Sequence, residues 1–457
     1  MNCAFQSAIP SFFALAVWSA APSAIVATNS NSMLAAAMES ITAGELYEHV
    51  EVLADDVYEG RAAGSRGGRA AAQYIVQQLR QTALEPAGAG GDYFQSFNRN
   101  WRNILVLHRG DDPELENELI VVGGHYDHVG YGNQNNSYGP TGRIHNGADD
   151  NASGVAVLLE TIEAFATSGL STRRPILFAF WDGEERGLVG STYWLKSPSL
   201  PNANVKLAIM VDMVGRLRNG QLYVYGTRSG SGLRRLLSGP LSMSASDPAS
   251  GNGGGVPVWL DFTWEVVDNS DHWPFLERRI PAVLLHTGLH RDYHRPSDDV
   301  EKVNRDGMRE VARYLTALSI KAANEDYLPN YRREFRREST SAQRAMERPL
   351  ERRSLKNWPP DRPRPRLGIS WREDKGEPGS VLVTQVVEGT PAHQAGLQVR
   401  DRIYELDNKP FVDAAEFEAI ITSLLDSQAP EFTLLVEQRG NLQPVTVQMQ
   451  PAETESD

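Results

Sequence analysis

The sequence predicts an α/β protein, a mixed and mostly parallel sheet covered by helices, followed by a small strand-rich domain. Three observations predict it. Between about Ser40 and Glu325, short apolar runs alternate with helical periods, the signature of strands covered on both faces. The 457 residues allow two or three domains at roughly 150 residues each. The third observation is that beyond residue 366 the pattern turns strand-rich.

Taken in order, Thr42 with Glu45 forms a capping box ahead of a helix over Leu46 to Leu53. Arg69 to Leu79 reads as a second amphipathic helix. Strands follow at Asn103 to Leu107, Leu119 to Val122, Ile176 to Phe180, Leu207 to Met210 and Ala282 to Leu285. Helical patterns run from Ala152 to Phe165 and from Asp306 to Ala323. The stretch from Ser238 to Gly255, rich in Gly and Ser, reads as a long loop near the site, leading into Trp259, Phe262 and Trp264. Those three aromatic residues are expected to favour apolar side chains in a ligand.

Residues 1–27 carry no charged side chain and have an apolar heart from Phe12 to Trp18, as in a secretory signal peptide. An exported protein, periplasmic or secreted, is expected. The single cysteine, Cys3, lies inside that leader, so a processed chain has no disulfide. No later apolar run reaches the roughly 18 residues of a spanning helix, and no integral membrane segment is expected after processing. The formal net charge is −13, which argues against a surface that tracks nucleic acid, and no nucleic-acid partner is expected. Residues 326–365 contrast with this: from Tyr327 to Arg366, 12 basic side chains face 5 acidic ones, with four prolines at the end. That segment reads as a solvated linker.

The strand ends carry the chemistry. Leu119 to Val122 runs into Gly123-Gly124-His125-Tyr126-Asp127-His128. The next strand-to-helix junction supplies Gly147-Ala148-Asp149-Asp150-Asn151-Ala152-Ser153-Gly154. Later junctions supply Trp181-Asp182-Gly183-Glu184-Glu185, then Asp212-Met213-Val214-Gly215, then Asp292-Tyr293-His294-Arg295-Pro296-Ser297-Asp298-Asp299. Each piece alone has a structural explanation, such as a helix cap or a core histidine. The set does not, because carboxylates gathered away from water repel one another unless a cation sits among them. Imidazoles and carboxylates without thiolate suit zinc or a similar divalent ion. Their number exceeds what one catalytic zinc uses, and a bridged pair fits better.

The series GGHYDH, GADDNASG, WDGEERGLVGS, VDMVG and HRDYHRPSDD resembles, in order and spacing, the two-zinc aminopeptidases and glutamate carboxypeptidases of metallopeptidase family twenty-eight. The resemblance covers residues 40–325 and implies a compact zinc exopeptidase fold acting on peptide substrates, with two zinc ions. It implies that His125 and Asp212 bind one ion, Glu185 and His294 the other, and that Asp150 bridges them. It also implies Glu184 as general base, Asp127 as the group orienting His125 through its second ring nitrogen, and Tyr293 as a polariser of the scissile carbonyl. Glu184 and Glu185 can hold different roles only if the chain turns there, and Gly183 permits the turn.

Residues 366–452 show strands at Gly379 to Val387, Arg402 to Leu406, Glu431 to Gln438 and Val445 to Met449, with helix starts at Thr390-Pro391 and at Asp413 with Glu416. The passage Arg366-Leu367-Gly368-Ile369 with GTPAHQAGLQVRDRI resembles a PDZ domain. That implies a groove near Leu367, Gly368 and Ile369 for a peptide C-terminus. The expected function is exported peptide hydrolysis from the N-terminus. A carboxypeptidase or a glutaminyl cyclase on the same fold, or a non-catalytic peptide-binding protein, stand as alternatives.

Overall fold

A computed structural model describes residues 23–244, 258–338, 340–343, 350 and 366–449. Residues 1–22 of the expected leader, and 245–257 of the expected loop, lie outside the described residues. The chain enters α1 (Ser23–Ser40) and then α2 (Ala43–Leu53), where Thr42 accepts the Glu45 N–H at 3.2 Å as the capping box requires. Helix α3 (Arg66–Leu79) starts three residues earlier than expected. Ser65 caps it, and its first turn holds Gly67 and Gly68, poor helix formers. They are needed for contact: a Cβ on Gly67 would lie 1.7 Å from the Tyr58 carbonyl oxygen.

Nine strands form the main sheet: β1 (Glu85–Pro86), β2 (Phe94–Phe97), β3 (Trp101–His108), β4 (Glu118–His125), β5 (Ile176–Trp181), β6 (Asn204–Val211), β7 (Gln221–Tyr225), β8 (Trp259–Phe262) and β9 (Ala282–His286). Their order is β1-β3-β5-β4-β6-β9-β7-β8, with β2 beside β3. The pairs β4–β5, β4–β6, β6–β9 and β7–β8 are parallel, whereas β3–β5 and β7–β9 are antiparallel. Side chains alternate between two cores, as a sheet covered on both faces requires. Ile120, Val122, Phe178, Phe180, Ile209 and Val211 share one core with α1 to α3, α4 (Gly154–Ser168) and α8 (Arg305–Asn324). Leu119, Val121, Leu177, Trp181 and Met210 share the other with Trp194 of α5 (Val189–Lys196) and Phe275 of α7 (Trp273–Glu277). The expected long loop begins as helix, since Ser238 lies inside α6 (Leu233–Ser244).

The C-terminal domain is an antiparallel sheet, ordered β10 (Ile369–Glu373), β11 (Val381–Val386), β12 (Arg402–Leu406), β14 (Glu431–Gln438), β15 (Asn441–Gln448), with β13 (Lys409–Pro410) beside β12. Helices α9 (Pro391–Gln394) and α10 (Ala414–Asp426) accompany it, the latter capped by Asp413. The expected linker is not a free spacer over its first part. Tyr331 bridges to Gly230, Phe335 is buried in the second core, and Glu338 pairs with Arg228 and Arg332. Most of its remainder lies outside the described residues.

Candidate metal centre and active site

The parallel strands β4, β5 and β6 deliver His125, Glu184 with Glu185, and Asp212 to one edge of the sheet, where open α/β folds place ligands. Asp150 enters from the turn before α4, and His294 from the loop after β9. All five expected metal ligands meet there. His125 Nε2 stands 3.3 Å from Asp212 Oδ1 and 3.4 Å from Asp150 Oδ1. His294 Nε2 stands 3.2 Å from both Asp150 Oδ2 and Glu185 Oε2. The two oxygens of Asp150 therefore face different donor sets.

A side chain that the motif reading passed over joins the second set. His128 Nδ1 lies 2.8 Å from Glu185 Oε1 and 3.7 Å from Asp150 Oδ2. The sets are then His125, Asp150 and Asp212, and His128, Asp150, Glu185 and His294, each with donor atoms within 4.8 Å of one another. Nitrogen and oxygen donors with no sulfur fit zinc or another borderline divalent ion. The electrostatics fit as well: hydrogen bonds to Asp150 and Glu185 outweigh burial and raise His294 to about 10. The site draws in positive charge, which a divalent cation supplies.

Backbone anchors hold the ligands in place. Asn151 Nδ2 donates to the carbonyls of His125 and Val211 at 3.2 and 3.1 Å, while its Oδ1 accepts from Met213 N and Gly154 N. One side chain thereby ties the ends of β4 and β6 to the start of α4. Asp298 Oδ2 accepts the N–H groups of Asp149 and Asp150 at 2.9 and 3.1 Å. Ser270 donates to Asp212 Oδ2 at 2.8 Å. Arg61, fully buried, donates to the carbonyls of Leu53, Tyr126, Asn146 and Gly147.

Glu184 belongs to neither donor set. Gly183 takes φ +77 and starts the turn that parts Glu184 from Glu185. A Cβ there would meet the Trp101 ring at 2.6 Å, so glycine is required twice over. Burial, reinforced by the charges of Glu185, Asp271 and Asp212 and opposed by His125, pushes the Glu184 carboxyl well above its ordinary range. Burial opposes ionisation of Glu185, but hydrogen bonds from His128 and His294 bring it down.

One assignment needs correction. Asp127 holds His125 Nδ1 through its backbone carbonyl at 3.0 Å, whereas its carboxylate is 3.9 Å away. The carboxylate instead accepts the Glu184 N–H at 3.0 Å. Only Tyr126 separates His125 from Asp127, so the carbonyl reaches the ring and the side chain is free to face the next strand's turn. Tyr293 stacks on His294 with centroids 3.9 Å apart. Burial and the charges of Asp150 and Glu185 raise its phenol, which keeps its proton.

Comparison with known proteins agrees with this geometry. The model of peptidase family M28 matches residues 103–319, and that of the PDZ domain residues 382–436. The chain carries an M28 peptidase domain and a PDZ domain. Leupeptin-inactivating enzyme 1 of Streptomyces exfoliatus is 27% identical over 243 residues, 53% of this chain and 47% of that protein. Leucine aminopeptidase 1 of Paracoccidioides brasiliensis is 28% identical over 156 residues, 33% of this chain and 38% of its own. The chain thus spans less than half the length of these curated relatives. The LapA aminopeptidase of Legionella pneumophila shares the fold with a TM-score of 0.51 at 20% identity, over 64% of this chain and 75% of that one.

Beside Asp212 the M28 domain has a cavity of about 660 Å³, lined by Tyr223, Tyr225, Val267, Asn269, Leu284 and His286 among others. Its lining residue His286 follows Leu285, whose carbonyl accepts the Asp212 N–H at 3.2 Å, and the Asp212 charge acts on the His286 ring. Two of the three aromatic residues expected near the ligand lie elsewhere. Trp264 is buried under Arg228 and Phe262 under Arg234, at 3.9 and 4.4 Å, while Trp259 Nε1 donates to the Asn219 carbonyl. Phe262 and Trp264 pack at the far end of β8, whereas Trp259 at its start is in register with Gln221, which lines the cavity.

Proposed function

We propose that the M28 domain is a two-zinc aminopeptidase that removes N-terminal residues from peptides. The observation that carries this reading is Asp150, whose two oxygens face His125 and His294 at 3.4 and 3.2 Å. In this assignment His125 and Asp212 would hold one ion and Glu185 and His294 the other, with Asp150 facing both sets. His128 orients Glu185. Zinc, when bound, supplies Lewis acidity and lets a water act as nucleophile near neutral pH.

The remaining work falls to the chain. Glu184, kept out of both donor sets and clamped at its backbone by Asp127, takes the proton of the attacking water and returns it to the leaving amine. Tyr293, holding its proton, donates to the oxyanion that develops on the scissile carbonyl. A free substrate ammonium is attracted by the carboxylates at the site, Asp212 and Asp271 among them, and the cavity beside Asp212 receives the first side chain. The leucine aminopeptidases among the relatives support the direction of cleavage. In the PDZ domain, β10 is an edge strand with no further partner among the described residues. A peptide C-terminus would add to it beside Leu367, Gly368 and Ile369. Export rests on the uncharged apolar leader of residues 1–27.

The test is zinc content measured together with hydrolysis of matched peptides with free and acetylated N-termini. Two zinc ions per chain and cleavage of the free peptide alone are expected. Cleavage of an acetylated peptide with a free carboxylate would make the enzyme a carboxypeptidase. Cyclisation of N-terminal glutamine without hydrolysis would make it a cyclase. Peptide binding without turnover at full zinc would make it a binding protein.

A further inference from the structure

The main sheet ends at β8, and an open sheet edge needs a cover. The C-terminal domain supplies it. Leu260 N in β8 donates to the Arg439 carbonyl at 3.1 Å, at the turn between β14 and β15. The next residue, Gly440, has φ +84, and a Cβ on it would lie 2.5 Å from Leu260 Cβ. A second contact joins Gly232 N to the Gly376 carbonyl at 3.0 Å. A Cβ on Gly376 would meet the Arg228 guanidinium at 2.7 Å.

Around these contacts lies a buried ion cluster. Arg234 of α6 places two nitrogens on Glu437 at 2.6 and 3.1 Å. Arg228 places Nη1 on both oxygens of Asp374, at 3.0 and 3.1 Å, and Arg402 reaches the same carboxylate at 2.9 Å. Glu437, Arg402, Asp374 and Arg228 are all buried. Exposed pairs between domains contribute little, whereas removing one partner of a buried pair is strongly destabilising. The domains are therefore held as one body.

That body reaches the cavity. Leu260 of β8 is in register with Leu222 of β7, and Tyr223 of β7 is in register with His286 of β9. Leu222 and Val224 point into the core while Tyr223 and Tyr225 line the cavity, so a shift of β8 moves the cavity wall. We infer that the PDZ domain positions the substrate cavity, holding β8 and β7 through its β14–β15 turn and the Asp374–Glu437 ion cluster. The inference rests on the reading that this cavity receives the substrate's first side chain. Glu437 and Gly440 act as positioning residues, some distance along the sheet from the metal centre.

The experiment uses the full-length, zinc-loaded protein and a dipeptide amide too short to reach the PDZ groove. Glu437→Gln and Gly440→Ala, whose added methyl must push against Leu260, are compared with Glu431→Gln, which lies at an exposed end of β14. Since misplacement by about 1 Å can cost on the order of 10²-fold, a KM raised about tenfold, with kcat within about twofold, is expected for the first two. Zinc content stays unchanged, and amide exchange at Tyr223 to Tyr225 becomes faster. Glu431→Gln leaves every readout unchanged. Unaltered KM and exchange in a folded Gly440→Ala protein would overturn the inference, as would loss of kcat or zinc with KM preserved. Wild-type turnover of the dipeptide amide separately reports on the proposed aminopeptidase activity, so the two failures are distinguishable.

Discussion

Glu377 is a buried carboxyl at the interface between the two domains, and its removal is a direct test of how that interface is held. Its Oε1 accepts the Arg234 N–H at 3.0 Å, while Oε2 is buried without a partner. Burial, only partly offset by that hydrogen bond and by Arg402, raises it from its ordinary 4.5 to about 7. Between these values the unfolded chain has released the proton and the folded chain retains it. The folded state binds more protons there, so stability falls as pH rises through the window and the loss is complete above about 7. At about 1.4 kcal/mol per tenfold in proton affinity, this single group costs up to about 3 kcal/mol at pH 8 relative to pH 4. Glu377→Gln replaces it with a group that is neutral at every pH. The variant should match the wild type near pH 5 and exceed its stability at pH 8, by up to that amount. Urea unfolding at several pH values between 5 and 8 measures the difference. Identical pH slopes, or a variant less stable at pH 8, would refute the argument that this carboxyl is held neutral by its surroundings.

Glu184→Gln should keep both metals yet lower kcat by about 10² to 10⁴, the usual contribution of a general base; zinc loss or near-normal turnover would show the base to be another group. Asp150→Ala should lose zinc along with activity, and a variant retaining two tightly bound ions would disprove the bridge. Arg61→Leu leaves four carbonyls without their donor, at a cost of at least about 3 kcal/mol, seen as a lowered Tm. An unchanged Tm would mean that these loops are held by other contacts.

Much of the site was legible because its residues sit at strand ends, and strand ends are visible as the points where apolar runs break into polar ones. His125, Glu185 and Asp212 follow three such runs directly. The turn at Gly183 was legible for a similar reason, since two adjacent carboxylates with separate roles demand a change of direction. His128 was present in the same motif, but no periodicity distinguishes a third imidazole that turns toward Glu185 from one that fills a core. Asp127 shows the opposite error. The family resemblance put its carboxylate on His125, and only the backbone path decided that its carbonyl meets the ring while its carboxylate meets Glu184.

By itself the sequence determined what local physics controls: the alternation of strands and helices, the caps at Thr42 and Asp413, the polar strand ends and the change of pattern beyond residue 366. Tertiary structure decided what depends on distant segments meeting. Asn151 joins His125 to Met213, residues 88 positions apart. Arg228 meets Asp374 across 146 positions, converting what reads as a tethered module into a buried ionic contact. Trp264 and Phe262 read as part of a ligand pocket, yet the sheet edge places them under arginines at the domain interface. Periodicity reports which face a residue shares with its near neighbours. The partner on the other side of that face is set by how the whole sheet is ordered.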